Sequence, residues 1–408
     1  MAPWHAAAAL AMAADARRLA GDALAAALRE SRATSLRYAF ESDDWALPQQ
    51  AGLNPIAWEL GHLAWFAELW ILRGPHRLGA DGFVHAAKPP RIAGPDAIFD
   101  SARLAHADRW RAPLPDRAAL PATLSAQLEA CIAALPSDAD DDAAHYFHRL
   151  ALFHEDMHGE AFAWSRATMA RPAPAGLETP PVVDDLRGGS PLRIEGGEVV
   201  VGRPPGAAGF SFDNELPGRT LRLAPFEIDA SPLTQGAFLR FVEAGGYARA
   251  DFWPGEAGAW RARRTLEHPE RWRRVAGGGW ETRWFDRWLP LADDAPVIHV
   301  CAWEAEAYCR WAKRRLPSAA EWECAARDPR FAWGRSVWEW TADAFLAYPG
   351  FEAGPYADYS RPWFGDHREL RGGAFATSPR LHHPAYRNFF TPERTDVFAG
   401  FRTAALAT

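Results

Sequence analysis

The sequence predicts a two-domain α+β protein, an N-terminal four-helix bundle followed by an irregular domain of short strands and ordered loops. Three observations carry this. Alanine and leucine recur at helical spacing through the first 170 residues. The stretch RPAPAGLETPPVVDDLRGGSPLR, residues 171–193, is rich in proline and glycine and has no period, as in a linker. Beyond it, short β-type runs sit among glycine and proline turns. With 408 residues, the chain has room for two hydrophobic cores. The expected division is a bundle at 1–172, a linker at 173–192 and a second domain at 193–408.

Four amphipathic helices are expected at residues 5–32, 54–73, 117–134 and 140–170, separated by proline-bearing connections such as AAKPPRIAGPDA and RAPLPDRAALP. The opening MAPWHAAAALAMAADARR lacks a basic leader and fits a signal peptide poorly, so an alanine-rich helix is the simpler reading. No segment offers the roughly 18 uncharged apolar residues needed to cross a membrane. A cytoplasmic monomer is expected. In the second half, EVVVG, LRLAPFEID and LRGGAFAT read as strands, and residues 234–244 and 301–314 as short helices.

Composition excludes some functions. The chain is 48% hydrophobic and 24% charged, as in a soluble globular protein, and its net charge of −7 argues against a nucleic-acid footprint. Four cysteines, Cys131, Cys301, Cys309 and Cys324, are too scattered for a disulfide framework or a CxxC zinc site. The 20 tryptophans concentrate in the second half, and indoles line binding clefts as well as cores.

The chemistry begins at LFHEDMHGEAFAW, residues 152–164. On a helix His154 and His158 share a face with Phe147, Ala151 and Phe162, while His145 and His148 point elsewhere. Met157 borders the stripe, and Glu160 lies further round. Two imidazoles at i and i+4 suit a first-row transition metal, but buried histidines satisfied by carbonyls give the same pattern. NPIAWELGHLAWFAELWIL adds His62 to a second apolar stripe, with Trp58, Trp65 and Leu69. Three neutral imidazoles from two helices would bind a metal facially and leave about three octahedral positions open. Spacing alone leaves Fe(II), Zn(II) and Cu(II) as alternatives.

A histidine on one bundle helix, the pattern HEDMHGE, and then FEIDASPLTQGAFLRFVEAGGY, PVIHVCAWEAEAYCRWAKRRLPSAAEWECAAR, VWEWTAD, LRGGAFAT and FAGFRTA in that order resemble the nonheme-iron sulfoxide synthases of ergothioneine biosynthesis. The first half is similar to their DinB-like bundle. Almost all of residues 194–405 is similar to the formylglycine-generating-enzyme fold, a variant of the C-type lectin fold. The resemblance implies Fe(II) held by His62, His154 and His158, and O2, hercynine and a chalcogen donor as substrates. It also implies that the chalcogen is joined to the imidazole carbon between the two nitrogens. In YRNFFTPERTDVFAGFR it assigns Asn388 and Phe389 to the hercynine end and Arg394 to the donor. Phe390 stands where relatives often carry an acid, and Met157 where they often carry a glutamine that contacts hercynine. A tyrosine donates a proton in the family; Tyr348, Tyr356 and Tyr359 lie in the right region, with Tyr356 and Tyr359 taken as the catalytic candidates. Loop packing is the plain alternative for the tyrosines, and turn or surface roles for Asn388 and Arg394.

The family's arginine-rich stretch of the form RGLLSRP, which holds the carboxylates of γ-glutamylcysteine, is missing. In its place stands AAKPPRIAGPDAIFDSARLAHADRW. Together with Phe390, this resembles the selenoneine-synthase branch and implies a selenosugar donor, 1-seleno-β-D-glucose. The alternative is an ergothioneine-type enzyme using cysteine or γ-glutamylcysteine. Rivals from other classes are a zinc-dependent thiol transferase and a lectin-like binding module. A true formylglycine-generating oxidase would need a reactive cysteine pair near the C-terminal end, and no cysteine follows Cys324.

Overall fold

A computed structural model describes residues 6–41, 44–181 and 190–406. Of the expected linker at 173–192, residues 182–189 lie outside the described residues. The chain divides into two compact units. One comprises Ala14–Met169 with Ala208–Phe210, and the other holds the remaining described residues.

The chain opens with helix α1 (Ala6–Ala16). Helices α2 (Gly21–Phe40) and α3 (Ile56–Ala67) follow, and α3 runs on into a π-helical turn, Glu68–Leu72. A small hairpin, β1 (His76–Leu78) with β2 (Val84–Ala86), and a single turn, α4 (Asp96–Phe99), come next. Helices α5 (Leu120–Ala133) and α6 (Asp142–Thr168) complete the unit. Helices α2, α3, α5 and α6 pack together as the expected four-helix bundle. Asp141 caps α6 by accepting the Ala144 N–H at 2.9 Å.

The sequence period misplaced one boundary. The single helix expected at 5–32 is two helices, broken before Gly21, whose φ is +49°. Helix α2 then runs eight residues beyond the expected end, because its inward face turns polar around that end, at Ser31, Arg32 and Ser35. Arg32 Nε meets Glu155 Oε1 at 2.6 Å, and the Ser31 hydroxyl donates to Asp156 at 2.8 Å. Arg32 also donates to the Leu124 carbonyl and to Gln127, so one buried guanidinium ties α2, α5 and α6. Charges that are buried only because they are paired leave no apolar period to read.

The second unit contains β3 (Leu192–Ile194), β4 (Gly197–Val201), β5 (Arg219–Leu223), β6 (Phe226–Ile228), α7 (Gln235–Glu243) and α8 (Glu256–Arg264). Strands β7 (Trp272–Arg274), β8 (Trp280–Trp284) and β9 (Arg287–Pro290) form an antiparallel sheet, followed by α9 (Ala302–Ala312) and α10 (Ala319–Ala325). Strands β10 (Trp338–Ala344), β11 (Arg368–Gly372), β12 (Asn388–Phe390) and β13 (Ala399–Gly400) make a mixed sheet in the order β12-β11-β10-β13. Its outer pair β10–β13 is parallel and the rest is antiparallel. The unit is α+β with little regular structure per residue, as expected. The run LRLAPFEID is two strands in different sheets, parted at Pro225, which has no N–H to continue a ladder. LRGGAFAT leaves its strand at Gly372, where φ is +100°. Sheet β7–β9 has no counterpart in the sequence reading, because WRR, WETRW and RWLP alternate indole with charge rather than aliphatic with polar.

Trp322, Trp333, Trp338 and Trp340 are fully buried, so much of the tryptophan excess builds the core. That core also holds charge. Arg402 donates to both Glu339 oxygens, and Glu369 receives Arg371 and Arg387. Cys131, Cys301, Cys309 and Cys324 are all free thiols. Among the described residues, no helix is long and apolar enough to cross a membrane.

Candidate metal centre

Helix α3 supplies His62, and α6 supplies His154 and His158 one turn apart. One ring nitrogen from each lies within 4.8 Å of the other two, and among the described residues this is the group of three that could hold a metal ion. His62 Nε2 and His154 Nε2 are 3.3 Å apart. Two nitrogens bound to one first-row ion at about 2.1 Å, with an angle near 90–110°, sit roughly 3.0–3.4 Å apart. The His62–His154 pair has the spacing such an ion needs, and the His158 nitrogen lies within 4.8 Å of both.

Hydrogen bonds select which nitrogen faces the cluster. His62 Nδ1 lies 2.7 Å from the Phe99 carbonyl, which can only accept, so Nδ1 carries the proton and Nε2 the lone pair. His158 Nδ1 likewise donates to Glu59 Oε1 at 2.8 Å, leaving its Nε2 as the ligating atom. Outer partners of this kind fix ring orientation and raise ligand basicity. Phe66 stacks on His154 at 3.6 Å and 6°, and Trp58 stacks on His62 at 4.9 Å and 8°, so the ring planes are held as well. Burial, followed by the neighbouring His158, drives the His62 and His154 imidazoles well below the ordinary histidine range. Both rings are held neutral, the form that binds metal. His158 is the partly exposed member and marks the side on which the cluster meets solvent.

Two buried histidines of α6 follow the plain alternative. His148 Nε2 bonds the Cys131 carbonyl at 3.0 Å, and His145 Nδ1 bonds the Asp141 carbonyl at 2.8 Å. Neither joins the cluster. Met157 is half-buried between His154 and His158 in sequence, and Glu160 is buried on the same helix.

The stripe Trp58, His62, Trp65 does not simply face apolar core. Its three N–H groups all donate to α4: Trp58 to the Ile98 carbonyl, His62 to that of Phe99, and Trp65 to Asp96. Gly61 makes this close approach possible. A Cβ there would sit 2.2 Å from the Phe99 ring. Gly61→Ala tests the point. Alanine in a helix interior gains about 1 kcal/mol over glycine. Forcing the Phe99 ring away costs about 1–3 kcal/mol, and displacement of its carbonyl frees His62. The expected outcome is a lower melting temperature with weaker metal retention, read by thermal unfolding and metal analysis. A variant more stable than the parent with full metal content would contradict this packing.

In the second unit, Asn388, Phe389 and Phe390 form β12. Asn388 Oδ1 accepts the Phe389 N–H at 2.9 Å, and Phe389 stacks on Phe345 at 4.1 Å. Arg394 is ion-paired with Asp396 at 2.5 Å, and its guanidinium lies 4.9 Å from the Phe390 ring centre. Tyr359 lies 5.9 Å from Phe389 and 6.1 Å from Tyr356, between ring centres. Its hydroxyl is 3.2 Å from that of Tyr386, and burial pushes its phenol well above the ordinary range. Tyr348 is a core residue, under the Arg387 guanidinium and accepting from Arg371.

Sequence reasoning missed Glu59, the Phe99 carbonyl and Tyr386. Glu59 carried a readable signal: a carboxylate three residues before His62 in an otherwise apolar helix needs a partner. A backbone carbonyl carries none, and Tyr386 meets Tyr359 only through the folding of two loops.

The sulfatase-modifying factor enzyme 1-like domain family matches residues 181–336 and 334–407. Hercynine oxygenase of Mycobacterium tuberculosis (strain ATCC 25618 / H37Rv) is 32% identical, across 93% of this chain and 98% of that protein. Hercynine oxygenase of Mycolicibacterium smegmatis is 31% identical, across 95% and 99%. Formylglycine-generating enzyme of Streptomyces coelicolor is 29% identical, over 58% of this chain and 96% of that protein.

Proposed function

We propose, from the premise that this chain belongs to the hercynine oxygenase family, that it is a nonheme-iron oxidoreductase using O2 and hercynine. The further step is to join the hercynine ring carbon between the nitrogens to a chalcogen donor and oxidise the chalcogen. The observation that carries the reading is the convergence of His62, His154 and His158, in a chain that parallels these relatives over nearly its full length. Iron bound there would supply O2 activation and a common template for the two partners.

The chain's own residues do the rest. Phe99 and Glu59 aim the Nε2 lone pairs of His62 and His158, and Phe66 and Trp58 keep the ring planes from turning. The trimethylammonium of hercynine has no N–H to donate and is best held by aromatic faces. Phe389, braced on Phe345, is assigned to that end together with Asn388, and Met157 to the ring of hercynine. Tyr359 is favoured over Tyr356 as proton donor, because its hydroxyl is paired with that of Tyr386 at 3.2 Å and its ring lies 5.9 Å from Phe389.

The donor reading that the relatives favour is the ergothioneine type, with cysteine or γ-glutamylcysteine as the sulfur source. A second reading, 1-seleno-β-D-glucose, is favoured by one observation. Holding a dicarboxylate donor would call on arginine side chains, and several here are already engaged. Arg73 is held by Asp96, Arg103 by Asp100, Arg109 by Asn54 and Trp58, and Arg394 by Asp396.

Metal analysis of anaerobically purified protein, followed by O2 uptake with hercynine and each donor, tests both levels. Stoichiometric iron and hercynine-dependent O2 uptake are expected. Stoichiometric zinc without O2 uptake would instead indicate a thiol transferase. Turnover with selenoglucose above that with either thiol selects the second donor reading, and the reverse order selects the first.

A further inference from the structure

We propose that Glu68, on the π-helical turn after α3, is a positioning residue for the metal centre: it clasps residues 91–93 so that the Phe99 carbonyl meets His62. The proposal rests on the reading of His62 as a metal ligand. Glu68 is fully buried and six residues beyond His62. Its Oε1 accepts the Arg91 N–H at 2.7 Å, and its Oε2 accepts those of Ile92 and Ala93 at 2.8 and 3.1 Å. Three backbone donors on one carboxylate fix a stretch of chain that has no ladder or helix of its own there.

That stretch leads directly into α4. Asp96 takes the Trp65 indole N–H at 2.8 Å and both Arg73 nitrogens at 2.6 and 2.9 Å. Ile98 takes the Trp58 indole at 2.7 Å, and Phe99 takes His62 at 2.7 Å. The segment therefore hangs between a clasp at 91–93 and three contacts on α3, and the last contact decides the His62 tautomer. Gly94, at φ +104° and packed under the Phe99 ring, makes the bend between clasp and turn. A π turn is an unusual way to continue a helix and concentrates at functional sites. Here it carries the carboxylate that holds the segment.

Glu68→Gln and Glu68→Ala test this. Glutamine keeps the volume and one acceptor oxygen but replaces the other with a donor that faces N–H groups. The first readout is the His62 tautomer, in metal-free protein labelled with ¹⁵N-histidine at a pH where the ring is neutral. The second is Fe(II) affinity by chelator competition, beside thermal unfolding. The parent should show His62 as a single Nδ1–H form. Glu68→Gln should stay folded, show a mixed His62 tautomer, and bind Fe(II) at least about 10-fold more weakly. Glu68→Ala should lose more. Parent-like tautomer in folded Glu68→Gln overturns the proposal, whether or not affinity falls. Failure of both variants to fold overturns it too, since Glu68 would then serve the fold alone. A parent that binds no iron would end the metal reading, while the tautomer comparison, made without metal, would still decide the role of Glu68.

Discussion

Iron retention is expected to fall to background in His154→Ala, with O2 uptake in the presence of hercynine lost alongside it. Removing one of three imidazoles leaves two donors one helix apart, and nothing else in the cluster can replace the third. The ring is also stacked on Phe66 at 3.6 Å, so the variant opens a cavity, and the bundle should lose about 2–4 kcal/mol. His158→Ala separates the two effects. His158 is partly exposed and leaves a smaller void, so it should lose iron equally and stability less. His148→Ala is the opposite control: same helix, same residue type, bonded to the Cys131 carbonyl and outside the cluster. It should lower the melting temperature and keep the iron. The second unit should stay folded in all three. Metal content after anaerobic reconstitution and thermal unfolding read these outcomes. Iron-dependent O2 uptake surviving in His154→Ala would end the assignment of that residue as a ligand.

Glu369→Ala is expected to unfold the second unit at or near room temperature. The carboxylate is buried and receives Arg371 Nε at 2.7 Å and Arg387 at 3.0 and 2.7 Å. Burial alone would push its pKa up, but the Arg387 and Arg371 charges and their hydrogen bonds outweigh burial and hold it below the ordinary value. Removing it takes the carboxylate from Arg387, which keeps the Asn214 and Leu346 carbonyls, and leaves Arg371 paired with Glu323 at 3.0 Å. Breaking one buried pair costs about 3–5 kcal/mol, against a total domain stability of about 5–15 kcal/mol. The same linkage gives the pH dependence. A depressed folded-state pKa contributes stability that is present above the unfolded pKa and is lost as pH falls through the folded one, so the unit should weaken in acid. The consequence reaches the proposed substrate strand, because Glu369 on β11 pairs in register with Phe389 on β12. Urea unfolding followed by tryptophan emission measures it. A Glu369→Ala protein with the parent's midpoint would show that the network holds no net stability.

Much of the architecture is written in periodicity. The bundle helices at 56–72, 120–133 and 142–168 lie within a few residues of the expected spans, because each buries apolar side chains at helical spacing. Helix α2 ended eight residues late for the contrary reason, since Ser31 and Arg32 are buried polar groups satisfied by partners on α6. Sheet β7–β9 was invisible because tryptophan and arginine alternate there.

The candidate site divides in the same way. The facing of His154 and His158 follows from helix geometry, since residues four apart share a face whatever surrounds them. That His62 meets them depends on how α3 packs against α6, and that its Nε2 is the free nitrogen depends on a carbonyl from α4. Local sequence determines which side chains share a face. Only tertiary structure decides which lone pair they present, because that choice belongs to hydrogen-bond partners far along the chain, such as Glu59 for His158 and Phe99 for His62.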